Sequence, residues 1–129
     1  LLGIWHLHAV TVETASGSTR HPFGLEPQGS ILYLAEGMMA VHIAGSGPAA
    51  GRLRIYGGRW TLAAGVVTHL VEVSQEPELV GVRLERRAAL HADRLIYRTL
   101  EAQGPGHPTV VWARRPPMGP TTRLEQSHG

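Results

Sequence analysis

The chain is divided into short segments, and this division limits its fold more than any other feature of the sequence. Sixteen Gly and nine Pro interrupt stretches that are rich in Val, Ile, Leu, Thr, Tyr and Trp. None of the intervals carries the sustained 3.6-residue apolar stripe of an amphipathic helix, whereas several alternate apolar and polar residues as strands do. The sequence therefore predicts an all-β fold.

Eight strands are predicted from this pattern. They cover Gly3–Glu13, Gly29–Ala35, Met38–Ala44, Leu53–Leu62, Val66–Ser74, Leu79–Leu90, Arg94–Glu101 and Thr109–Arg114. Four of the connections have only two to four residues, a length that is typical of hairpins between antiparallel neighbours. An open sheet of eight antiparallel strands leaves two exposed edges, and closure into an up-and-down barrel removes both. We therefore predict an eight-stranded antiparallel barrel.

A chain of 129 residues is long enough for one domain with its own core and too short for two. Residues 1–114 are predicted to form the barrel. Residues 115–129 are predicted to form a tail, because Pro116 and Pro117 cannot donate to a strand ladder. We expect this tail to pack on the barrel wall or on a neighbouring molecule.

The long connection Thr14–Gln28 is expected to fold over one barrel mouth as a lid, with Phe23 toward the lumen.

Composition disfavours several classes of function. The net charge is only +2 and the Arg side chains form no dense basic block, so no nucleic-acid partner is expected. No apolar run approaches the roughly 18 to 20 residues of a spanning helix, which predicts a soluble, cytoplasmic protein without a membrane partner. Cys is absent, and His6 and His8 lack a third ligand, so neither a metal site nor a cofactor is predicted. The use of Arg for every basic residue indicates a GC-rich, bacterial source genome.

Strand alternation indicates which side chains face the lumen of the barrel. Val67, His69, Val71 and Val73 share one face of the fifth predicted strand. Further inward candidates are Tyr56, Trp60, Leu84, Arg86, Tyr97 and Arg114. A barrel of eight strands either fills its interior with side chains or keeps room for one small ligand. We expect the largest cavity to lie in this lumen and to bind one hydrophobic, oxygen-bearing small molecule.

Several motifs along residues 2–114 resemble the lipocalin-like domain proteins of bacteria, which belong to the calycin-like group of small barrels. The motifs are Gly3-Ile4-Trp5; Pro22-Phe23-Gly24 with Pro27, Gly29, Leu32 and Tyr33; Glu36-Gly37 with Met39 and Val41; Tyr56, Gly58 and Trp60; Val67-Thr68-His69 through Val71-Glu72 and Ser74 to Pro77 and Gly81; Asp93-Arg94-Leu95; and Trp112 with Arg114. The resemblance implies an eight-stranded barrel and a small hydrophobic ligand. It also implies that an Arg late in the chain lies over the Trp5 indole at one barrel end, and both Arg86 and Arg114 are candidates for that role.

His69, Arg86 and Tyr56 are the candidate catalytic residues. His69 stands alone on a Val-rich face, where a neutral imidazole can exchange a proton near neutral pH; the alternative is a core His that is hydrogen-bonded to Tyr or backbone. Glu72 lies on the opposite face of the same strand and is expected to pair with an Arg of a neighbouring strand. The candidate ligand-binding residues are Phe23, Tyr33, His42, Trp60, Val71, Leu84 and Tyr97.

Two functions fit these residues. The first is a cofactor-free cyclase or isomerase of a polyketide-like natural-product intermediate, which works largely by holding a reactive conformer. Small barrels of this kind act as such enzymes in natural-product pathways, so the first function rests on fold analogy. The second is a non-catalytic carrier or sensor of an apolar metabolite. The sequence slightly favours the enzyme and leaves a homodimer open.

Overall fold

The computed structural model describes residues 1–100 and 106–114. Its strands are β1 (Gly3–Glu13), β2 (Thr19–Arg20), β3 (Gln28–Tyr33), β4 (Met38–Ala44), β5 (Leu53–Ala63), β6 (Val66–Ser74), β7 (Arg83–His91), β8 (Arg94–Thr99) and β9 (Pro108–Arg114). Helix in this part of the chain is limited to two 3-10 turns, Gly47–Ala49 and Pro77–Leu79. No helix among these residues is long and apolar enough to span a membrane.

The strands form one closed antiparallel barrel. Each pairs with its neighbours in the order β1-β3-β4-β5-β6-β7-β8-β9, and β9 returns to pair with β1 from Trp5↔Arg114 to Val12↔Pro108. The predicted eight-stranded barrel is therefore confirmed. The structure adds β2, a two-residue strand that pairs with the end of β1 inside the long connection. Closure leaves the eight barrel strands without a free edge.

The predicted strand boundaries differ from the observed ones mainly before β7. The prediction began this strand at Leu79, whereas Pro77–Leu79 forms a 3-10 turn and β7 begins at Arg83. Pro77 occupies the start of the turn, where its missing N–H has no cost, and Gly81 adopts a φ of +87°, which a larger residue would resist. The predicted strand end at Glu101 and the predicted tail, residues 115–129, lie outside the described residues.

A bulge in β6 changes which of its side chains face inward. Gly57 pairs with Val73 and Gly58 with Val71, so Glu72 is the extra residue. Val67, His69 and Val71 are buried in the lumen, but Val73 lies on the outer wall with 66% of its surface exposed. The prediction that Val73 faces the lumen was therefore wrong, because a bulge reverses the alternation of the residues that follow it. Glu72 forms an ion pair with Arg59 of β5, as expected.

One end of the barrel is closed by Trp5 and Arg114. The Arg114 guanidinium lies 3.8 Å from the centre of the Trp5 ring, which decides between the two candidate Arg residues. Trp5 Nε1 donates a hydrogen bond to the Leu1 carbonyl at 2.8 Å, and Arg114 donates to the Leu2 carbonyl at 2.6 Å. The hairpin turns β3–β4, β5–β6 and β7–β8 lie at this end, because connections alternate between the two ends of an up-and-down barrel.

The opposite end is the mouth, where the longer connections lie. The β1–β3 connection meets the β4–β5 loop there: Ser46 N–H donates to the Phe23 carbonyl, and the Arg52 guanidinium lies 5.2 Å from the Phe23 ring centre. Phe23 is partly buried and packs against the core, as expected for a lid residue. Leu79 of the β6–β7 connection also packs there. The mouth therefore has an apolar rim.

Candidate functional site

A hydrogen-bonded chain of four side chains lies in the lumen. Tyr56 Oη is 2.7 Å from His69 Nδ1, and Tyr33 Oη is 2.6 Å from His69 Nε2. The Tyr33 hydroxyl also forms a hydrogen bond with the Tyr97 hydroxyl. We call this series Tyr56–His69–Tyr33–Tyr97 the tyrosine–histidine chain. These contacts agree with the alternative prediction for His69, that it is a core His hydrogen-bonded to Tyr.

Strand register brings these four residues together from four different strands. His69 lies opposite Trp60 of β5 and Leu84 of β7 in the sheet. Tyr56 of β5 and Tyr33 of β3 form hydrogen bonds with the His69 ring. Tyr97 of β8 reaches the Tyr33 hydroxyl across the lumen. Trp60 holds Tyr33 in place, since their ring centres are 4.8 Å apart and Trp60 Nε1 donates to the Leu34 carbonyl. The chain is thus positioned by the barrel wall and not by a loop.

Burial keeps every member of the chain uncharged at neutral pH. Burial, with a contribution from the nearby Arg86 guanidinium, lowers the pKa of His69 to about 4. Burial raises the pKa of Tyr56 to about 12, although Arg86 and Arg54 oppose the shift. Burial also raises the pKa values of Tyr33 and Tyr97 well above the usual range. A neutral imidazole has one donor and one acceptor nitrogen, so one bonded tyrosine accepts from His69 and the other donates to it.

A cavity of about 70 Å³ lies beside this chain in the lumen. It is lined by Ile31, Val41, Ile43, Arg54, Tyr56, His69, Leu84, Arg86, Tyr97, Val110 and Trp112. Both terminal hydroxyl-bearing residues of the chain, Tyr56 and Tyr97, face it, whereas Tyr33 does not line it. Pockets for whole drug-sized ligands have about 300 to 1,000 Å³. The cavity as it stands therefore has room for one functional group of a ligand.

One buried donor on the cavity wall has no acceptor among the described residues, and one Arg there has no carboxylate partner in the same part of the chain. Trp112 is 2% exposed, and its Nε1 has no hydrogen-bond partner among the described residues. Arg86 donates only to the carbonyl of its neighbour Glu85, and within residues 1–100 and 106–114 no carboxylate forms an ion pair with it. Arg54, by contrast, is paired with Glu76 at 3.2 Å. A buried donor without an acceptor costs about 1–3 kcal/mol, so the Trp112 indole favours a ligand oxygen. The partly buried Arg86 guanidinium offers a second donor on the same cavity wall.

The structure brings five of the predicted site residues around the cavity and places the others elsewhere. Tyr56, His69, Leu84, Arg86 and Tyr97 line it. Val71 and Tyr33 are buried on inward faces without lining it, Trp60 packs at the closed end, and Phe23 lies at the rim. His42, a predicted ligand-binding residue, is exposed on the outer wall, because it follows the buried Val41 in β4. A lumen ligand would therefore not contact His42.

The prediction that the largest cavity lies in the lumen was also wrong. A much larger concave region, about 670 Å³, is a groove on the outer wall formed by β1, β3, β4, β5 and the end of β6. Its outward residues include Ile4, Leu32, His42, Ile55 and Val73. The lumen is smaller because Trp5, Tyr33, Met39, Trp112 and other large side chains fill it. The size of the inward side chains, and not the number of strands, therefore determines the volume that remains in the lumen.

Sequence reasoning missed two donor-bearing residues of the site, Trp112 and Arg54. Trp112 could have been found, since it lies two positions before Arg114, which was already assigned to an inward face. Arg54 carries the same signal, because it lies two positions before Tyr56 in β5. Strand alternation could thus have indicated both residues, whereas their hydrogen-bond partners depend on the fold.

One family of known proteins matches this chain. The sequence profile of the lipocalin-like domain family matches residues 2–55 and 49–115, which together include all the described strands. No curated protein matches the chain. Among solved structures, the chain is similar to the protein described as "The Siderocalin Ex-FABP functions through dual ligand specificities", with 15% sequence identity and a TM-score of 0.46. That match covers 98% of this chain and 85% of the other.

Proposed function

Since this chain belongs to the lipocalin-like domain family, we propose that it binds one small hydrophobic molecule whose acceptor oxygen enters the lumen cavity. The observation that carries the proposal is the unpartnered donor of Trp112 beside an Arg86 without a carboxylate. Both line the lumen cavity, whose remaining walls combine aliphatic side chains with the polar groups of the tyrosine–histidine chain. The ligand's oxygen receives hydrogen bonds from Trp112 Nε1 and the Arg86 guanidinium. Its apolar body lies toward the mouth, where Phe23 and Leu79 are partly buried.

The reaction proposed for this ligand is cyclisation or isomerisation of a polyketide-like intermediate. Arg86 polarises the ligand's carbonyl, and Tyr56 and His69 provide hydrogen-bonding groups within the same cavity. Positioned acid–base groups of this kind contribute about 10²- to 10⁴-fold to a rate. His69 meets the ligand through tyrosine hydroxyls, because both its ring nitrogens are already engaged.

A non-catalytic carrier or sensor is the second candidate function. It is favoured by the internal pairing of His69, which leaves no ring nitrogen free to act directly on a ligand. Under this alternative the donors of the cavity serve only to fix orientation. The two candidates share the binding site and differ in whether the bound molecule changes.

The binding proposal is tested with cyclopentanone and with methylenecyclopentane, which has the same ring but no oxygen. Titration is followed by NMR at the indole N–H of Trp112. We expect cyclopentanone to shift this resonance and methylenecyclopentane to bind more weakly. Arg86→Met should weaken cyclopentanone binding about 10-fold or more, since a hydrogen bond from a charged group contributes about 1.5–3 kcal/mol. Equal binding of the two probes, or no change in Arg86→Met, would contradict the proposal.

We also propose that the protein is cytoplasmic, that its source is bacterial and that it has no nucleic-acid partner. A homodimer also stays open, and sedimentation of the purified protein at several concentrations decides it. None of these predictions affects the lumen site.

A further inference from the structure

We propose that the tyrosine–histidine chain is a proton relay that takes a proton from a ligand carbon at one end and delivers a proton to the ligand's oxygen at the other. This inference rests on the proposed function, because it assumes that a ligand carbonyl occupies the cavity. It assigns the substrate to the class of enolisable carbonyl compounds. It also extends the catalytic role to Tyr97 and gives Tyr33 a role in carrying the proton.

The first argument is a count of protons. Three neutral tyrosines and one neutral histidine hold four exchangeable protons, and the chain contains three hydrogen bonds among them. One terminal hydroxyl therefore always has a proton that no bond within the chain uses. If His69 carries its proton on Nε2, that spare proton is on Tyr97. If His69 carries it on Nδ1, the spare proton is on Tyr56.

The second argument is the position of the two ends. Tyr56 and Tyr97 both line the lumen cavity, while Tyr33, between His69 and Tyr97, is 1% exposed and does not line it. A molecule in the cavity therefore meets a donor at one end and an acceptor lone pair at the other. Burial of the middle of the chain keeps water from supplying or removing protons between the ends.

The step balances without any cofactor. Tyr97 gives its proton to the carbonyl oxygen, and Tyr56 takes a proton from the adjacent carbon. Three protons shift inside the chain, from Tyr33 to Tyr97, from His69 Nε2 to Tyr33 and from Tyr56 to His69 Nδ1. The C–H electron pair becomes the C=C bond of the enol, and the carbonyl π pair forms the new O–H bond. The chain ends uncharged with its direction reversed, and the reverse transfer can return a proton to a different carbon.

The relay is tested with cyclopent-3-en-1-one, whose double bond moves into conjugation when a proton is removed beside the carbonyl and returned farther along the ring. We expect the wild type to produce cyclopent-2-en-1-one and, in D₂O, to retain mainly the substrate's own hydrogen, because Tyr56 both removes and returns it. Tyr97→Phe and Tyr56→Phe should each slow this reaction about 10²- to 10⁴-fold while changing cyclopentanone binding only a few-fold. His8→Gln, on the exposed outer wall, is the matched control and should react at the wild-type rate.

A second measurement examines the chain without any ligand. The ¹⁵N resonances of His69 report which ring nitrogen carries the proton. We expect Tyr56→Phe to place it on Nε2 and Tyr33→Phe to place it on Nδ1, because each variant leaves one nitrogen with no partner to receive a proton. The same tautomer in both variants would overturn the relay, because both chain directions must be accessible.

The outcomes separate the relay from the binding proposal. If cyclopentanone binds and cyclopent-3-en-1-one binds without reacting, the relay is wrong and the binding site stands. If neither ketone binds, the proposed function is wrong, and the substrate class named here is wrong with it. If the reaction persists at the wild-type rate in Tyr97→Phe, Tyr97 does not deliver the proton and the relay is wrong.

Discussion

A Trp and an Arg occur together at two places in the barrel, in contact at the closed end (Trp5 and Arg114) and along the wall of the lumen cavity (Trp112 and Arg86). We call these the closed-end pair and the cavity pair, and they differ in their hydrogen-bond partners. At the closed end, Trp5 donates to Leu1, Arg114 donates to Leu2, and the guanidinium lies on the indole face. At the cavity, within the residues that the structure describes, Trp112 Nε1 has no acceptor and Arg86 donates only to the carbonyl of Glu85. The first pair is satisfied within the fold, whereas the second leaves donors for another molecule.

The difference shows that the hydrogen-bond partners of a donor side chain, and not its residue type, decide whether it contributes to folding stability or to ligand binding. A satisfied pair loses stability when either member is removed, because the remaining polar group is left without its partner. An unsatisfied pair already carries that cost, so its removal affects binding more than folding. Substitutions at both pairs should therefore give opposite patterns.

Trp5→Ala is expected to have the largest effect on stability, about 3–5 kcal/mol, because it removes a fully buried ring and leaves a cavity at the closed end. Denaturant unfolding measures this loss. Val73→Ala, at an exposed position on the outer wall, is the control and should cost about 0.5 kcal/mol or less. A small effect of Trp5→Ala would mean that the closed end does not hold the barrel together.

Acid should destabilise the barrel through His69, which lies between the two ends. Its pKa in the fold is about 4, against 6.5 for an unperturbed His, so the unfolded chain binds more protons between these values. Stability therefore falls as the pH decreases from about 6.5 to about 4 and levels off below, by about 3 kcal/mol in total at about 1.4 kcal/mol per pKa unit. Unfolding measured against pH in wild type and His69→Gln isolates this contribution. Parallel curves for the two proteins would refute it.

Replacing the two Arg residues by Met compares the pairs directly. Arg114→Met should cost about 1–2 kcal/mol, because it removes the contact over Trp5 and the hydrogen bond to the Leu2 carbonyl. Arg86→Met should change stability by about 0.5 kcal/mol or less, because Arg86 has no carboxylate partner in the described part of the chain. Thermal unfolding of both variants provides the measurement. A larger loss in Arg86→Met would assign Arg86 to the fold.

A small effect is also expected for Trp112→Phe. Removal of an indole N–H that has no acceptor relieves a desolvation cost and offsets the smaller ring, so stability should stay within about 1 kcal/mol of wild type. Trp5→Phe should cost about 1–2 kcal/mol, because the Leu1 carbonyl loses its donor. Unfolding curves of the two variants measure these changes in stability, and cyclopentanone titration of both variants measures the change in binding. Equal losses in both variants would remove the distinction between the pairs.

Much of the barrel could be predicted from local patterns. Alternation over a few residues indicated the strands, and the short connections indicated their antiparallel order, because both features depend on neighbours in sequence. The bulge at Glu72 and the turn before β7 were missed, since one extra residue changes the alternation without changing the composition. The error at Val73 and the late start of β7 follow from these two features.

By itself, the sequence determined the class of fold, the strand order and the inward position of His69, Arg86 and Tyr56. Only the tertiary structure decided which Arg covers Trp5, which nitrogens of His69 are bonded, and that Trp112 is a donor without an acceptor. The physical reason is the range of the interactions involved. Strand periodicity is local, whereas a hydrogen bond between Tyr33 and Tyr97 joins residues 64 positions apart, and it forms only when the closed barrel brings β3 and β8 together.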